Sequence, residues 1–277
     1  MYQIPNCGKL EPAHPFAHED LDARGLIKIF EDPDPSGLYS LGVDVSNGLT
    51  NWCRDFRTDA DIRTDNCAVE VVRKGMEGEP DVQAAEFAAP IEPEDLSPLV
   101  NFLGRLYCGR DESGMAPVII EIHPGPGMRT QRDLWSRFHY YNLYIQKSAD
   151  KMVEKPTGKY GWLATKQSVR DLWGKASRHI KRQAILLNSK WLVEEMANVS
   201  MHPDLMWGEA VGRKHDDRVR ALMLAIWQLH AWDMDIDFGE QRSVQPTKRP
   251  SWQATDMSAE EMMEEWDEMY YSLAEED

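Results

Sequence analysis

Three short apolar segments in succession constrain this chain more than any other feature of its sequence. They lie at 38–44, 67–72 and 82–87, and each has the length and apolar character of a buried β-strand. A helix is predicted next, over Pro93–Tyr107, and strand and helix patterns alternate after it. This order predicts an α/β fold, in which an antiparallel three-strand meander joins parallel strands in one mixed β-sheet flanked by helices.

The later segments complete this prediction. Helical spacing or short apolar runs assign helices to 128–140, 168–180, 190–199 and 216–232, and strands to 117–122, 143–145 and 184–187. Residues 1–37 are rich in Pro, Asp and Gly and are predicted to be a leading segment or the remnant of a linker. The folded domain is expected to span 38–235, and an acidic tail is expected over 236–277.

Composition argues against several classes of protein. No apolar run approaches the ~18 residues of a membrane span, and the N-terminus lacks the basic and apolar pattern of a signal peptide. The four cysteines show no zinc-ligand spacing, so we expect free thiols in a reducing compartment. We therefore expect a globular protein with no membrane partner.

The distribution of charge is more informative than the net charge of −16. Residues 129–190 contain fourteen lysines and arginines against four acidic residues, whereas 256–277 contain ten acidic residues and no basic ones. The central region can neutralise phosphates. A solvated basic face is the alternative, and charge alone does not decide between them.

Acidic residues follow predicted strands or begin a predicted helix at three places. Asp44 ends the first strand, Glu121 ends the strand after the first long helix, and Asp216 and Asp217 begin the last helix. A carboxylate after an apolar run is costly to bury unless it is paired or binds a cation. Hard cations such as Mg²⁺ prefer carboxylate ligands, and two such ions can hydrolyse a phosphodiester.

Each of these residues also has a structural interpretation. Asp44 can bond the turn that follows it, Glu121 can pair with an arginine, and Asp216 or Asp217 can cap the helix. His215, which precedes them, is more typical of a solvated or capping residue than of a ligand or base. Only the combination of the three positions favours chemistry.

Four segments carry a resemblance to a known family. They are Gly42–Gly48 (GVDVSNG), Ile119–Glu121 (IIE), Gly158–Lys166 (GKYGWLATK) with Arg170 after it, and Lys214–Leu222 (KHDDRVRAL). In order and spacing they resemble the nuclease domain at the C-terminus of the large terminase subunit of tailed phages, over roughly residues 38–232. The resemblance implies an RNase H-like fold and an endonuclease that cuts concatemeric double-stranded viral DNA during genome packaging in the host cell cytoplasm.

The resemblance also implies site residues and a cofactor. Asp44, Glu121 and Asp217 would be catalytic and would hold two Mg²⁺ or Mn²⁺ ions, with Asp44 between them. Asp216 is the alternative or additional ligand. Asp65 occupies the place where some members carry a further acidic residue, just before the second strand. DNA is expected on the basic region, with contacts to phosphate from Lys155, Lys159, Lys166 and Arg170.

The chain departs from the family pattern at three places. The loop over 49–64 is longer than usual, and His123 stands where the family often has Asn. No GxxxxGK[ST] motif occurs, so we expect no ATP hydrolysis by this chain and a packaging ATPase domain as a partner. The portal and the small terminase subunit are further expected partners. The amphipathic acidic tail would be either a docking helix for such a partner or a solubilising segment.

Two other functions remain open at this point. Other RNase H-like nucleases, such as junction resolvases, share the expected fold and carboxylates. A DNA-binding or assembly module that keeps the acidic residues only for structure is the alternative from a different class.

Overall fold

A computed structural model of the chain describes residues 2–4, 8–12, 27–46, 66–76, 78–122, 126–147, 156–201, 208–210 and 215–230. The strands, in chain order, are β1 (Tyr2–Ile4), β2 (Gly8–Pro12), β3 (Ile27–Ile29), β4 (Tyr39–Asp44), β5 (Cys67–Arg73), β6 (Asp81–Ala89), β7 (Val118–Ile122), β8 (Ile145–Lys147), β9 (Pro156–Tyr160), β10 (Trp162–Leu163), β11 (Ile185–Leu186), β12 (Val199–Met201) and β13 (Gly208–Ala210). The helices are α1 (Pro93–Leu106), α2 (Pro126–Phe138), α3 (Lys166–Lys181), α4 (Lys190–Ala197) and α5 (Asp217–Leu229). These elements belong to one compact unit that ends at Leu229.

The main sheet is mixed, with the strand order β1-β2-β3-β6-β5-β4-β7-β10, and β11 pairs with β6. Strands β4, β5 and β6 form the antiparallel meander. Strand β7 runs parallel to β4, and β10 runs parallel to β7. The predicted α/β class is confirmed, and the mixed sheet flanked by helices is consistent with an RNase H-like arrangement.

Several short strands had no counterpart in the sequence prediction. Within the predicted leading segment, β3 pairs antiparallel with β6 and buries Ile27 and Lys28. The predicted strand at 143–145 is an isolated bridge at Leu143, and β8 begins at Ile145 and pairs with β9 outside the main sheet. Most of the unpredicted strands have only two or three residues, which is too few side chains to show a period of two.

The sheet separates two apolar cores because successive side chains of a strand point to opposite faces. The first core contains Leu41 and Val43 of β4 and lies against α1 and α2. The second core contains Ile119 of β7 and lies against α3, α4 and α5. Helix α5 crosses β4, β5 and β7 on this second face, and it is apolar on most sides because it packs both on the sheet and on α3 and α4.

Close contact between α5 and β4 depends on Gly42. A β-carbon on Gly42 would lie 2.0 Å from the carbonyl oxygen of Ala221 and 2.4 Å from the backbone nitrogen of Ala225. Alanines continue this small-residue contact, because Ala68 of β5 and Ala88 of β6 pack on Ala221. The helix backbone therefore approaches the sheet more closely than larger side chains would allow.

A buried ion cluster, formed by Lys28, Glu86, Arg218 and Glu195, ties α5 to the sheet and to α4. The Lys28 ammonium lies 2.8 Å from Glu86 Oε1, and Arg218 Nε lies 3.3 Å from the same oxygen. Arg218 also donates to Glu195 through its guanidinium and, at 3.0 Å, through its backbone amide. Buried charges are tolerated when they are paired in this way, so the cluster holds the first turn of α5 in place.

Two predicted regions, the loop over 49–64 and the acidic tail over 236–277, lie outside the described residues and cannot be compared with the structure. Within the described part of the chain, no helix is both long enough and apolar enough to cross a membrane.

Candidate active site

Asp44 and Glu121 meet at the carboxyl ends of two neighbouring parallel strands. Val43 of β4 is in register with Ile120 of β7, so the next residues, Asp44 and Glu121, come side by side. Both belong to the face of the sheet that α5 covers, because Gly42 contacts α5 and Ile119 lies in the second core. Asp44 is 8% exposed and Glu121 is 2% exposed.

The beginning of α5 brings two more carboxylates to the same place. Asp217 is the first residue of the helix and is buried, and Asp216 precedes it and is half-buried. The Asn66 backbone amide, just before β5, donates to Asp217 Oδ2 at 3.0 Å. His215 Nδ1 lies 3.3 Å from the same oxygen. Asp44, Glu121, Asp216 and Asp217 are called the carboxylate cluster below.

One arginine side chain lies among these carboxylates. Arg220 Nε is 3.4 Å from Asp216 Oδ2, and Arg220 Nη1 is 3.6 Å from Glu121 Oε1. Arg220 follows Asp216 by four residues and Asp217 by three, a spacing that places all three on one side of a helix. The structural interpretation of Glu121, an arginine partner, is therefore partly realised.

The pKa of Asp44 reports on the charge of this cluster. Burial raises the pKa of Asp44 well above its ordinary value, and the Glu121 carboxylate raises it further. Arg220 acts in the opposite direction, while Asp217 and Asp216 add to the increase. The pKa of Asp216 is also raised, mainly by burial, with Arg220 again opposing. The cluster thus holds more negative charge than its arginine neutralises.

The pKa of Arg220 shows the same imbalance from the other side. Burial acts to lower the pKa of Arg220, but the carboxylates of Asp44, Glu121 and Asp216 outweigh it and raise the pKa above its ordinary value. Arg220 is therefore charged in the folded protein, and its positive charge is attracted to the cluster as a whole.

The chemistry of this donor set fits divalent metal ions. Four carboxylates offer only oxygen ligands, which Mg²⁺ and Mn²⁺ accept in octahedral sites. They come from three elements that are far apart in sequence, β4, β7 and the start of α5, and they converge on one side of the sheet. Strongly raised pKa values cluster at functional sites, so these carboxylates are candidate functional residues.

The predicted site residues divide into three groups in the structure. It brings together Asp44, Glu121, Asp216 and Asp217. Asp65 and Lys155 lie outside the described residues, and Lys159 lies in β9, where its side chain is not described. Lys166 is exposed at the first position of α3, and Arg170, one turn later, is half-buried.

Helix α3 begins at the same end of the sheet as the cluster. Strand β10 runs parallel to β7 with Trp162 opposite Glu121, and the chain reaches the α3 cap, Thr165, three residues later. The Thr165 side chain accepts from the Ser168 amide, which stabilises this first turn. Nε of Arg170 is buried and has no hydrogen-bond partner among the described residues. The basic start of α3 is thus placed near the cluster by topology.

Sequence reasoning did not single out Arg220 or the amide of Asn66. Arg220 carried a usable signal, since its spacing from Asp216 and Asp217 predicts a shared helix face. Asn66 carried none, because a backbone amide donates wherever the tertiary fold brings an acceptor.

Comparison with known proteins adds no assignment, since no protein-family model and no curated protein matches this chain.

Proposed function

We propose that this chain is a divalent-metal-dependent endonuclease that cuts double-stranded DNA. One observation carries the proposal: four carboxylates from β4, β7 and the start of α5 converge on one face at the carboxyl ends of parallel strands. Such an arrangement is what two-metal hydrolysis of a phosphodiester requires. The basic start of α3, at the same end of the sheet, supports a nucleic-acid substrate.

The finer proposal, a terminase nuclease that cuts concatemeric viral DNA during packaging, rests on the sequence resemblance. Three of the resembling segments, Gly42–Gly48, Ile119–Glu121 and Lys214–Leu222, carry the four carboxylates of the cluster. The fourth, Gly158–Lys166, covers the last three residues of β9, all of β10 and the first residue of α3. The three motifs are far apart in the sequence, yet their acidic residues converge in space. This agreement supports the finer proposal.

Each residue of the cluster has a role in the proposed reaction. Asp44, Glu121 and Asp217 would hold two divalent ions, with Asp216 as the alternative or additional ligand. Bound there, the ions would supply activation of a water and charge stabilisation at the leaving 3′ oxygen. Asp217 is held by the amide of Asn66, which leaves its other oxygen for a ligand. Lys166 and Arg170 bind phosphates and position the duplex without reading its sequence.

The first test compares cleavage of supercoiled plasmid by the wild-type chain and Asp44→Asn, with Mg²⁺, with Mn²⁺ and with chelator. Glu112→Gln is the matched control, because Glu112 is exposed in the turn after α1. We expect chelator-sensitive cutting by the wild type and by Glu112→Gln, and none by Asp44→Asn. Full-rate cutting by Asp44→Asn would refute the assignment.

Substrate choice tests the finer proposal. Linear and circular duplexes should be cut in preference to four-way junctions and RNA–DNA hybrids. A preference for junctions would instead indicate a resolvase, and DNA binding with no response to metal would indicate a binding or assembly module.

A further inference from the structure

The two arginines in the first turn of α5 are held in different ways. Arg218 has a side chain that is 5% exposed, and it contacts Glu195 and Glu86 in the buried ion cluster. Arg220 lies on another side of the helix, since residues two apart do not face the same way. Its side chain is 36% exposed and faces the carboxylate cluster. The Arg218 side chain is therefore buried in the interior, whereas the Arg220 side chain is partly exposed to solvent.

The contacts of Arg220 are long for charged groups. Its distances of 3.4 Å to Asp216 and 3.6 Å to Glu121 exceed the 2.7–2.9 Å that is typical of a charge-assisted hydrogen bond. Neither carboxylate receives a bidentate pair from the guanidinium. Arg220 therefore makes one long hydrogen bond, to Asp216, and is otherwise held by the negative charge of the cluster, so it can leave at the cost of that one weak contact.

Metal binding would neutralise the negative charge that holds Arg220 in the cluster. In the metal-free protein, the negative charge of the four carboxylates exceeds the positive charge of the single guanidinium. This electrostatic attraction holds Arg220 in place. Two divalent ions would supply as much positive charge as the four carboxylates carry. Arg220 would then face cations a few ångströms away with no net negative charge to hold it, and like charges at that distance repel.

We propose that Arg220 is a built-in competitor of the divalent ions, which occupies the carboxylate cluster in the metal-free protein and leaves it when the ions bind. The inference rests on the proposed function, since it assumes that the cluster is a metal site. It adds that metal loading is opposed by the protein's own side chain. The enzyme is thereby kept stable without metal, and its apparent metal affinity is lower than its ligands alone would give.

A purely structural arginine would behave differently. If Arg220 only stabilised the start of α5, its removal would displace Asp217 and weaken metal binding. If Arg220 competes with the ions, its removal strengthens metal binding while it destabilises the metal-free protein. The sign of the change in metal affinity therefore separates the two roles.

The test is calorimetric titration of the purified full chain with Mn²⁺ alone, in the absence of DNA, together with thermal unfolding with and without Mn²⁺. The variants are Arg220→Gln, which removes the charge, and Arg220→Lys, which keeps it. Arg129→Gln is the control, since Arg129 forms an exposed ion pair with Glu94 between α1 and α2. Neither readout depends on nuclease activity.

We expect Arg220→Gln to bind Mn²⁺ roughly tenfold more tightly than the wild type, because a single positive charge is removed at short range. The metal-free variant should unfold at a lower temperature, and saturating Mn²⁺ should close most of this difference. Arg220→Lys and Arg129→Gln should bind Mn²⁺ within about twofold of the wild type.

The outcomes distinguish this inference from the proposed function. Mn²⁺ binding by the wild type with equal or weaker binding by Arg220→Gln would overturn the inference alone. No Mn²⁺ binding by the wild type and no change in its unfolding would overturn the inference together with the proposed metal site.

Discussion

Gly42 of β4 and Ala221 of α5 are so close that a β-carbon on the glycine would lie 2.0 Å from the alanine's carbonyl oxygen. This contact fixes the distance between the sheet and the helix that begins with Asp217. Asp44 lies two residues beyond Gly42, and Asp217 lies four residues before Ala221. The separation of the two carboxylates is therefore set largely by a residue that has no side chain.

Replacing Gly42 with alanine should push α5 away from β4, because the obstructing atoms belong to the helix backbone and cannot rotate aside. We expect a loss of about 1–3 kcal/mol in the free energy of unfolding, with weaker Mn²⁺ binding and slower cleavage. Denaturant unfolding and Mn²⁺ titration measure these effects. Gly174→Ala is the control, since that helical glycine has open space around its Cβ position and should be stabilised slightly. Equal effects of the two changes would contradict the role of Gly42.

Asp44→Asn should stabilise the metal-free protein while it abolishes cleavage. The pKa of Asp44 is raised by burial and by Glu121, so the ionised group is unfavourable in the folded chain without metal. Removing its charge should increase the free energy of unfolding on the order of 1 kcal/mol at neutral pH. Added Mn²⁺ should reverse the order, because metal stabilises only the protein that binds it. Denaturant unfolding with and without Mn²⁺ checks this, and a less stable metal-free variant would argue against a crowded cluster.

Arg218→Met should destabilise the fold strongly, since it leaves the buried Glu195 without a charged partner and removes part of the positive charge beside Glu86. We expect a loss of about 3–5 kcal/mol, seen as a lower midpoint in denaturant. Adding Glu195→Gln to the same chain should recover part of the loss. Arg129→Met, which removes an exposed ion pair, should cost less than about 1 kcal/mol. A small effect of Arg218→Met would show that the buried ion cluster is not needed.

Glu70 should make stability depend on pH. Burial raises the pKa of Glu70 well above its ordinary value, and the nearby Glu86 raises it further. The Glu70 carboxyl group therefore binds its proton more tightly in the folded chain than in the unfolded chain. Its contribution to stability is present below the ordinary pKa of a glutamate and is lost as the pH rises through the folded pKa.

Glu70→Gln should remove that loss, because the amide is neutral at every pH and can still accept from Gln83. The free energy of unfolding should fall less steeply than in the wild type as the pH rises above the ordinary pKa of a glutamate. Urea titrations across this range measure the slope. Glu94→Gln, on an exposed glutamate, should leave the slope as it is.

The basic start of α3 should govern affinity for DNA without governing sequence preference. Lys166→Gln and Arg170→Gln should each weaken binding of any duplex and reduce the slope of log affinity against log salt by about 0.9. Fluorescence anisotropy in the Asp44→Asn background avoids cleavage during the measurement. Lys181→Gln, at the opposite end of the same helix, is the control and should bind as before. If neither variant changes the slope of log affinity against log salt, α3 does not belong to the DNA-binding surface.

The elements that could be predicted from the sequence are those long enough to show a pattern. Strands β4, β5 and β6 are mostly apolar segments of six to nine residues, and α1 and α5 repeat apolar residues at helical spacing. Strand β3 was not recognised, because its three residues form a strand only when β6 lies beside them. Strand β10, with two residues, exists through its pairing with β7.

For the carboxylate cluster too, the sequence predicted the individual residues, whereas their contacts depend on the tertiary structure. Asp44 and Glu121 were predicted because each follows an apolar strand, where an acidic residue is costly unless it has a partner. Their adjacency follows from the parallel register of β4 and β7, which no local pattern specifies. The contacts of Asp217 with Asn66 and of Arg220 with Glu121 join residues 151 and 99 positions apart.

The sequence by itself determined the class of fold, the order of its main strands and helices, and the acidic residues that stand at their ends. These are local properties, since hydrophobic periodicity and the cost of burying a charge act on each segment separately. Only the tertiary structure decided that Gly42 admits α5 onto the sheet, that four of these acidic residues share one face, and that Arg220 lies among them. Those relations depend on strand register and helix approach, which are set by contacts between distant segments and leave no pattern in any one of them.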